Sequence, residues 1–223
     1  MDITGVEGAR PAIERAQPTH PSLIDTRHCL GELFGVVNIP NGIWIDEEGV
    51  IVRPAEPAWP GPRPEGASPL GDTDLPERIQ RMATQAGKIQ ADRDAYGAAL
   101  RDWVNLGSNS QYALSPEEVI RRSQPRDAAR SEAAAQFELG QFLHRNGETA
   151  EAVAHFKHAH RLQPENWTYK RQAWELASRI GGQLDRFWQG PMPGQEADWP
   201  YDSDWVTDIE TSGAESYYPA FVP

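Results

Sequence analysis

Cysteine is almost absent from this chain: Cys29 is the only one among 223 residues. No disulfide can therefore form within it, and no two-thiol redox centre can be assembled from it alone. Long apolar runs are also missing. No stretch approaches the roughly 18 consecutive apolar residues of a membrane span, and the N-terminus lacks the basic segment and apolar h-region of a secretory signal. Positive charge is scarce as well, with 21 Lys and Arg against 33 Asp and Glu and a formal charge of −12. A field of that sign repels nucleic acid and anionic membrane surfaces. These absences lead one to expect a soluble, cytoplasmic protein with neither nucleic acid nor membrane as partner.

What is present is enough chain for one large or two small units. Its 19 prolines and 19 glycines concentrate between Pro54 and Gly71 and after Gly190, which predicts a linker and a tail.

Near the N-terminus, Val6 to Ala16 has helical spacing, with Ala9, Ile13 and Ala16 on one side and Pro18 and Pro21 ending the run. Ser22 to Ile24 is a short strand candidate. Asp25 and Thr26 can cap the next segment, where Cys29, Leu30, Leu33 and Phe34 recur at helical spacing. Gly42 to Ile45, the tight turn Asp46 to Gly49 and the return strand Val50 to Val52 predict a β-hairpin. Helix and strand candidates in alternation before it predict an α/β sheet carrying an antiparallel edge. Beyond Arg53 the proline density excludes a helix or a central strand, with Trp59 available to pin the linker to a surface.

The second half reads as helical. Leu75 to Val104 carries Ile79, Met82, Ala86, Ile89, Arg93, Tyr96, Leu100 and Trp103 at three- and four-residue steps, predicting one long helix. Ser115-Pro-Glu-Glu118 opens another, with serine as N-cap, proline in the first turn and acids favoured by the helix dipole. Between Ala133 and Asn166, the residues Leu139, Gly140, Leu143, Ala152, Phe156, Ala159 and Pro164 match the spacing of a tetratricopeptide repeat, with Gln136 where tryptophan is usual. Gly140 and Ala152 would let two helices approach closely, Asn146-Gly147 would make the turn, and Trp167 to Ile180 would cap the exposed repeat face. The acidic stretch after Pro191 holds Trp199, Tyr201, Trp205, Tyr217, Tyr218 and Phe221. Disordered tails are poor in aromatics, so these rings are expected to fold back on the body.

The stretch Phe34-Gly-Val-Val-Asn-Ile-Pro40, followed by Gly42-Ile-Trp-Ile-Asp46 and Gly49-Val-Ile-Val52, resembles the C-terminal half of a thioredoxin-like redoxin of the ResA/TlpA kind. The resemblance covers Ser22 to Arg53 specifically. It implies that Pro40 is a cis-proline and that Ile39 offers its backbone to a bound substrate chain beside the redox centre. In that family a strand and a helix carrying a W-C-x-x-C-type centre lie upstream of the part matching Met1 to Ala16. The full layout, a redoxin half, a proline-rich linker and a tetratricopeptide-like unit, is similar to bacterial redoxins with a W-A-x-x-U-G-C motif, U being selenocysteine. On that resemblance the centre is expected upstream of Met1, since a UGA codon for selenocysteine is easily read as a stop. The resemblance further implies thiol–disulfide exchange or thiol-dependent peroxide reduction, with a thiol or disulfide protein or a small-molecule thiol reductant as partner and no cofactor.

Other chemistry-bearing residues have plainer expectations. Cys29 is a candidate resolving thiol for an upstream centre, but its apolar helical position predicts packing as a small hydrophobe. His155, His158 and His160, with His144 nearby, lack a recognised metal-ligand spacing and are expected to be solvated or to face a partner. Glu47 and Glu48 are ordinary charged-turn residues that point different ways. The glycines of Gly5 to Arg10 lack the lysine and spacing of a phosphate loop. Trp103, Trp167, Trp174 and Trp188 are assigned to packing.

The expected fold is therefore α/β plus all-α. Residues 1–53 form the C-terminal part of a thioredoxin-like domain and 54–74 a linker. Residues 75–181 form a helical domain whose single repeat spans 133–166, and 182–223 form an acidic aromatic tail. A protein partner held by the helical repeat, in a scaffold without catalysis, is the alternative.

Overall fold

The computed structural model describes residues 5–25, 29–59, 75–178 and 188–222. Among these residues the fold is mixed, with many helices and one small antiparallel sheet of two strands. The proline-rich stretch from residue 60 to 74, the start before Gly5 and the end of the expected capping helix fall outside the described residues. No helix among the described residues is long and apolar enough to cross a membrane.

The N-terminal region begins with α1 (Gly5–Ala16) and continues to the six-residue α2 (Cys29–Phe34), with the Asp25 carboxylate accepting from the Leu30 N–H at 2.7 Å. Ser22 to Ile24 is not a strand. It has no paired neighbour among the described residues, and Leu23 stands 86% exposed. Three residues cannot satisfy a backbone ladder without a second strand beside them.

The hairpin forms where expected, from β1 (Asn41–Ile45), the turn at Asp46 to Gly49, and β2 (Ile51–Pro57). Asp46 organises the turn, because its carboxylate accepts from the backbone N–H groups of Glu48 and Val50. β2 runs past the expected linker start at residue 54 and contains Pro54 and Pro57. The register shows how it does so. Gly42 pairs with Glu56, Trp44 with Arg53 and Ile45 with Ile51, so extra residues on β2 bulge out of the ladder. Proline is tolerated on such an irregular edge strand because its missing N–H is not needed there.

The expected long helix from Leu75 to Val104 is two helices, α3 (Glu77–Ala86) and α4 (Arg93–Leu106). Gly87 closes the first, and Asp92 caps the second by accepting from the Ala95 N–H at 2.9 Å. Both local signals outweigh the apolar periodicity that runs through the break. Next, α5 (Pro116–Arg122) starts at its Ser115 cap as read from sequence.

Two long helices, α6 (Ala128–Arg145) and α7 (Thr149–Leu162), then form a tightly packed hairpin around the Asn146-Gly147 turn. Gly140 sits at the crossing, where a Cβ would lie 2.7 Å from the Phe156 ring and 3.2 Å from the Ala152 carbonyl. Two effects oppose each other at this position. Alanine normally gains about 1 kcal/mol over glycine inside a helix, whereas overpacking a close contact costs about 1–3 kcal/mol. With Phe156 only 1% exposed and unable to swing away, the steric cost dominates. Gly140→Ala is thus expected to lower the melting temperature by several degrees, at about 2–4 °C per kcal/mol for a chain of this size; an unchanged or raised value in a thermal melt would reject this account.

Helix α8 (Trp167–Ala177), expected to cap the repeat, packs against α7. It is also central, with Trp167, Tyr169, Ala173 and Trp174 buried. The reason is the C-terminal segment, which folds over it as the aromatics predicted. Trp205, Val206 and Ile209 of α9 (Trp205–Ser212), together with Tyr201 and Tyr217, complete the same core. α9 in turn packs on α3. There Arg78 donates to the Trp188 and Gln189 carbonyls and pairs with Asp204.

Candidate functional site

The sequence-predicted site residues Ile39 and Pro40 lie in the loop between α2 and β1. This loop is anchored by α8 and by the C-terminal segment. Thr168, at the start of α8, donates its N–H to the Val37 carbonyl at 3.2 Å and its hydroxyl to the Val36 carbonyl. Asn38 is 5% exposed and donates Nδ2 to the Tyr217 carbonyl at 3.0 Å. Nearby, the Tyr169 hydroxyl donates to Glu32, which also pairs with Arg126. Burial, reinforced by the hydrogen bond to the Glu32 carboxylate, pushes the Tyr169 hydroxyl well above the usual tyrosine range.

The Ile39–Pro40 peptide bond is cis. The backbone groups of Ile39, which the resemblance would offer to a substrate chain, are engaged within the protein. Its N–H donates to the Asn38 side-chain oxygen at 2.9 Å, and its carbonyl accepts from the Tyr218 hydroxyl at 2.5 Å. Tyr218 also meets Trp59 edge-on at 5.1 Å, and Arg93 covers the Trp59 ring at 4.4 Å. Trp59 thus pins the chain leaving β2, as its position before the proline-rich stretch predicted. Burial raises the Tyr218 hydroxyl above its ordinary range and keeps it a donor.

Behind the loop, a small aromatic core joins the hairpin to α4. Trp44 stacks on Trp103 at 5.1 Å and donates its indole N–H to the Tyr96 hydroxyl at 2.9 Å. Burial raises the Tyr96 pKa. Gly42 faces this hydroxyl so closely that a Cβ would lie 2.6 Å from it. The group that ties the whole region together is Arg53, which is 0% exposed. Its guanidinium forms a fork with Glu56 at 2.8 and 3.0 Å and donates to the Tyr112 carbonyl at 2.9 Å and to the Val222 carbonyl at 2.6 Å. The rings of Trp44 and Phe221 lie on it at 5.3 and 5.0 Å.

An open groove of about 430 Å³ runs alongside β1. Pro40, every residue of β1 and Ala58 line it, with Tyr96, Leu100 and Trp103 of α4.

Cys29 does not pack as a small hydrophobe. It is exposed at the first position of α2, whose Leu30 and Leu33 are 51% and 79% exposed. The helix is too short, and too little covered, for its periodicity to place a side chain in a core. The histidines do not act as a group. His155 bonds Gln136, His158 faces Glu132, and His160 is enclosed by Trp174 and Tyr201. Among the described residues no cluster of three or more His, Cys, Asp or Glu is placed to hold a metal ion. Glu47 and Glu48 stay exposed in the hairpin turn, and Gly5 to Arg10 belong to α1. The four tryptophans assigned to packing do pack. Trp188 lies under Arg78 and donates to the Pro191 carbonyl, and Trp167 meets Tyr217.

Sequence reasoning missed Asn38, Arg53 and the link from Tyr218 to Ile39. Arg53 stands at the edge of a proline-rich run, and only its alternation with Trp44 across the hairpin hinted that it faces inward. Comparison of the chain with protein-family models, with curated proteins and with solved structures yields no match.

Proposed function

We propose that these residues are the substrate-side part of a thioredoxin-like redoxin joined to a tetratricopeptide-like helical unit. The observation that supports this most directly is the order of elements around Pro40: a helix, the Asn38-Ile39-Pro40 loop, and a hairpin with one open edge. The α6–α7 hairpin with Gly140 against Phe156 supports the repeat. In the complete protein a cysteine or selenocysteine upstream attacks a disulfide or a peroxide, and Ile39 and Pro40 shape the groove where the substrate lies. Attack requires the ionised thiol or selenol, which a helix N-terminus favours. A thiol reductant then restores the centre. Cys29 is the one thiol within the chain able to resolve a mixed intermediate.

Residues 1–223 by themselves are expected to show no steady turnover of a disulfide or peroxide, and Cys29→Ser is expected to leave that baseline unchanged. Sustained disulfide reduction by the purified chain, lost in Cys29→Ser, overturns the upstream assignment. The coding sequence gives the second check: a Cys codon or UGA in frame, within a strand–helix pattern before Met1, is expected, and a frame with neither rejects the redoxin reading.

One observation favours a second reading, that of a scaffold without catalysis. The Ile39 N–H and carbonyl already have partners in the protein. The scaffold reading predicts that Tyr218→Phe, which removes the donor to the Ile39 carbonyl, leaves all binding of protein partners intact. The redoxin reading predicts stronger substrate capture once that carbonyl is released.

A further inference from the structure

The two edges of the sheet are treated differently. On the outer side of β2, Leu114 donates its N–H to the Val52 carbonyl at 3.2 Å, and Pro54 and Pro57 have no N–H to offer. These are the usual means of closing an edge against further pairing. β1 has none of them. Its five residues, Asn41-Gly-Ile-Trp-Ile45, include no proline and no charge, and no strand pairs with its outer side among the described residues. All five of its residues line the groove of about 430 Å³, together with Pro40 and Ala58. Leu100 and Trp103 of α4 give it an apolar wall.

Two further observations indicate what fits there. The turn that ends β1 exposes Glu47 and Glu48, which have no ion-pair partner among the described residues. At the opposite end, Asn41 has a buried side-chain oxygen with no hydrogen-bond donor among the described residues. We propose that the β1 edge is an addition site for an extended segment of another protein, apolar beside Ile43, Leu100 and Trp103 and basic where it passes Glu47 and Glu48. Main-chain hydrogen bonds supply the affinity in such β-addition, and the side chains facing the groove supply the selectivity. A segment matching β1 needs about five residues, near 17 Å at about 3.3 Å per residue. The chain's formal charge of −12 favours a cationic partner and opposes a second copy of itself. The site rests on the scaffold reading, in which β1 keeps its open edge; the redoxin reading, in which an upstream strand would pair there, is judged separately by turnover and by the upstream frame.

The test uses the full chain and labelled synthetic peptides with an alternating valine–threonine core. One set carries a lysine pair at either end, one a glutamate pair, and one lysines with a proline-interrupted core. Fluorescence anisotropy is expected to show the lysine peptides binding at least tenfold tighter than the glutamate peptides, with the proline peptides not binding. The double variant Glu47→Lys, Glu48→Lys, which changes only exposed turn residues, is expected to reverse the charge preference. Bound peptide is also expected to slow hydrogen exchange of β1 amides. Equal binding of acidic and basic peptides, binding that survives proline interruption, or no change in the double variant overturns the proposal. So does a dimer in sedimentation with β1 amides already protected, which would make a second copy the occupant.

Discussion

Replacing Arg53 by alanine is expected to destabilise the protein by about 3–5 kcal/mol, the cost of removing one partner from a buried ion pair. The side chain is fully buried while Glu56 keeps 16% exposure, so its loss strands a carboxylate that little water can reach. It also leaves the carbonyls of Tyr112 and Val222 without their donor, and removes the cation between Trp44 and Phe221. Lysine cannot replace it, because one ammonium cannot make the two-pronged contact with Glu56 and still reach both carbonyls. Arg53→Lys is therefore expected to lie closer to the alanine variant than to wild type. Urea unfolding measures the loss. A double-mutant cycle with Glu56→Gln is expected to recover part of it, since the stranded charge is then gone. Because Arg53 holds the Val222 carbonyl, proteolysis of the last residues should also accelerate in the variant. A loss below about 1 kcal/mol, the range of surface pairs, would show that the network does not bind the tail to the hairpin.

Local signals made much of the fold legible. The hairpin followed from its Asp46-to-Gly49 turn, and the α6–α7 pair from spacing that places Gly140 against Phe156. Ser115 marked its helix, and the aromatics after Pro191 announced a segment that packs. The failures were cases where tertiary partners decided. Pro54 and Pro57 read as strand breakers, yet an irregular edge pairing accommodates both. Leu75 to Val104 read as one helix because its apolar period continues through Gly87 and Asp92, whose caps divide it. Cys29 read as buried because spacing reports a face and not whether anything covers it.

The candidate site divides in the same way. Ile39 and Pro40 were named from resemblance to a family, and they lie in the loop between α2 and β1. What holds that loop was not readable, because its partners are remote in sequence: Tyr217 and Tyr218 lie 179 residues from Asn38 and Ile39 respectively. Arg53 likewise meets Tyr112 and Val222 at separations of 59 and 169 residues. No periodicity encodes contacts of that range.

Acid should weaken this fold as pH falls below about 6.5, and His160 is the reason. It lies on α7 with Trp174 and Tyr201 against its ring, and its Nε2 is buried without a hydrogen-bond partner among the described residues. Burial lowers its pKa first and the Lys170 ammonium second. A backbone hydrogen bond with Tyr169 and the charge of Asp202 oppose them only in part, and the value falls to about 3. Lys170 cannot move away, because Asp208 holds its ammonium at 2.6 Å and both are largely buried. The unfolded chain takes up a proton near the ordinary histidine value of about 6.5, whereas the folded protein refuses it until much lower pH. The neutral side chain thus carries no penalty above about pH 6.5, and stability falls as pH drops from there towards 3. The slope approaches about 1.4 kcal/mol per pH unit, so about 2 kcal/mol is lost between pH 7 and pH 5. The lowered carboxylates, such as Asp202 beside Lys157 and Glu210 beside Arg81, titrate below this window. In His160→Gln the same urea series at pH 7, 6 and 5 should be flatter by about that 2 kcal/mol, whatever the variant's absolute stability. The other histidines are common to both proteins and cancel in the difference. Parallel curves for wild type and variant would mean that His160 is protonated in the fold, with Nε2 bonded and the enclosure by Trp174 and Tyr201 open to water.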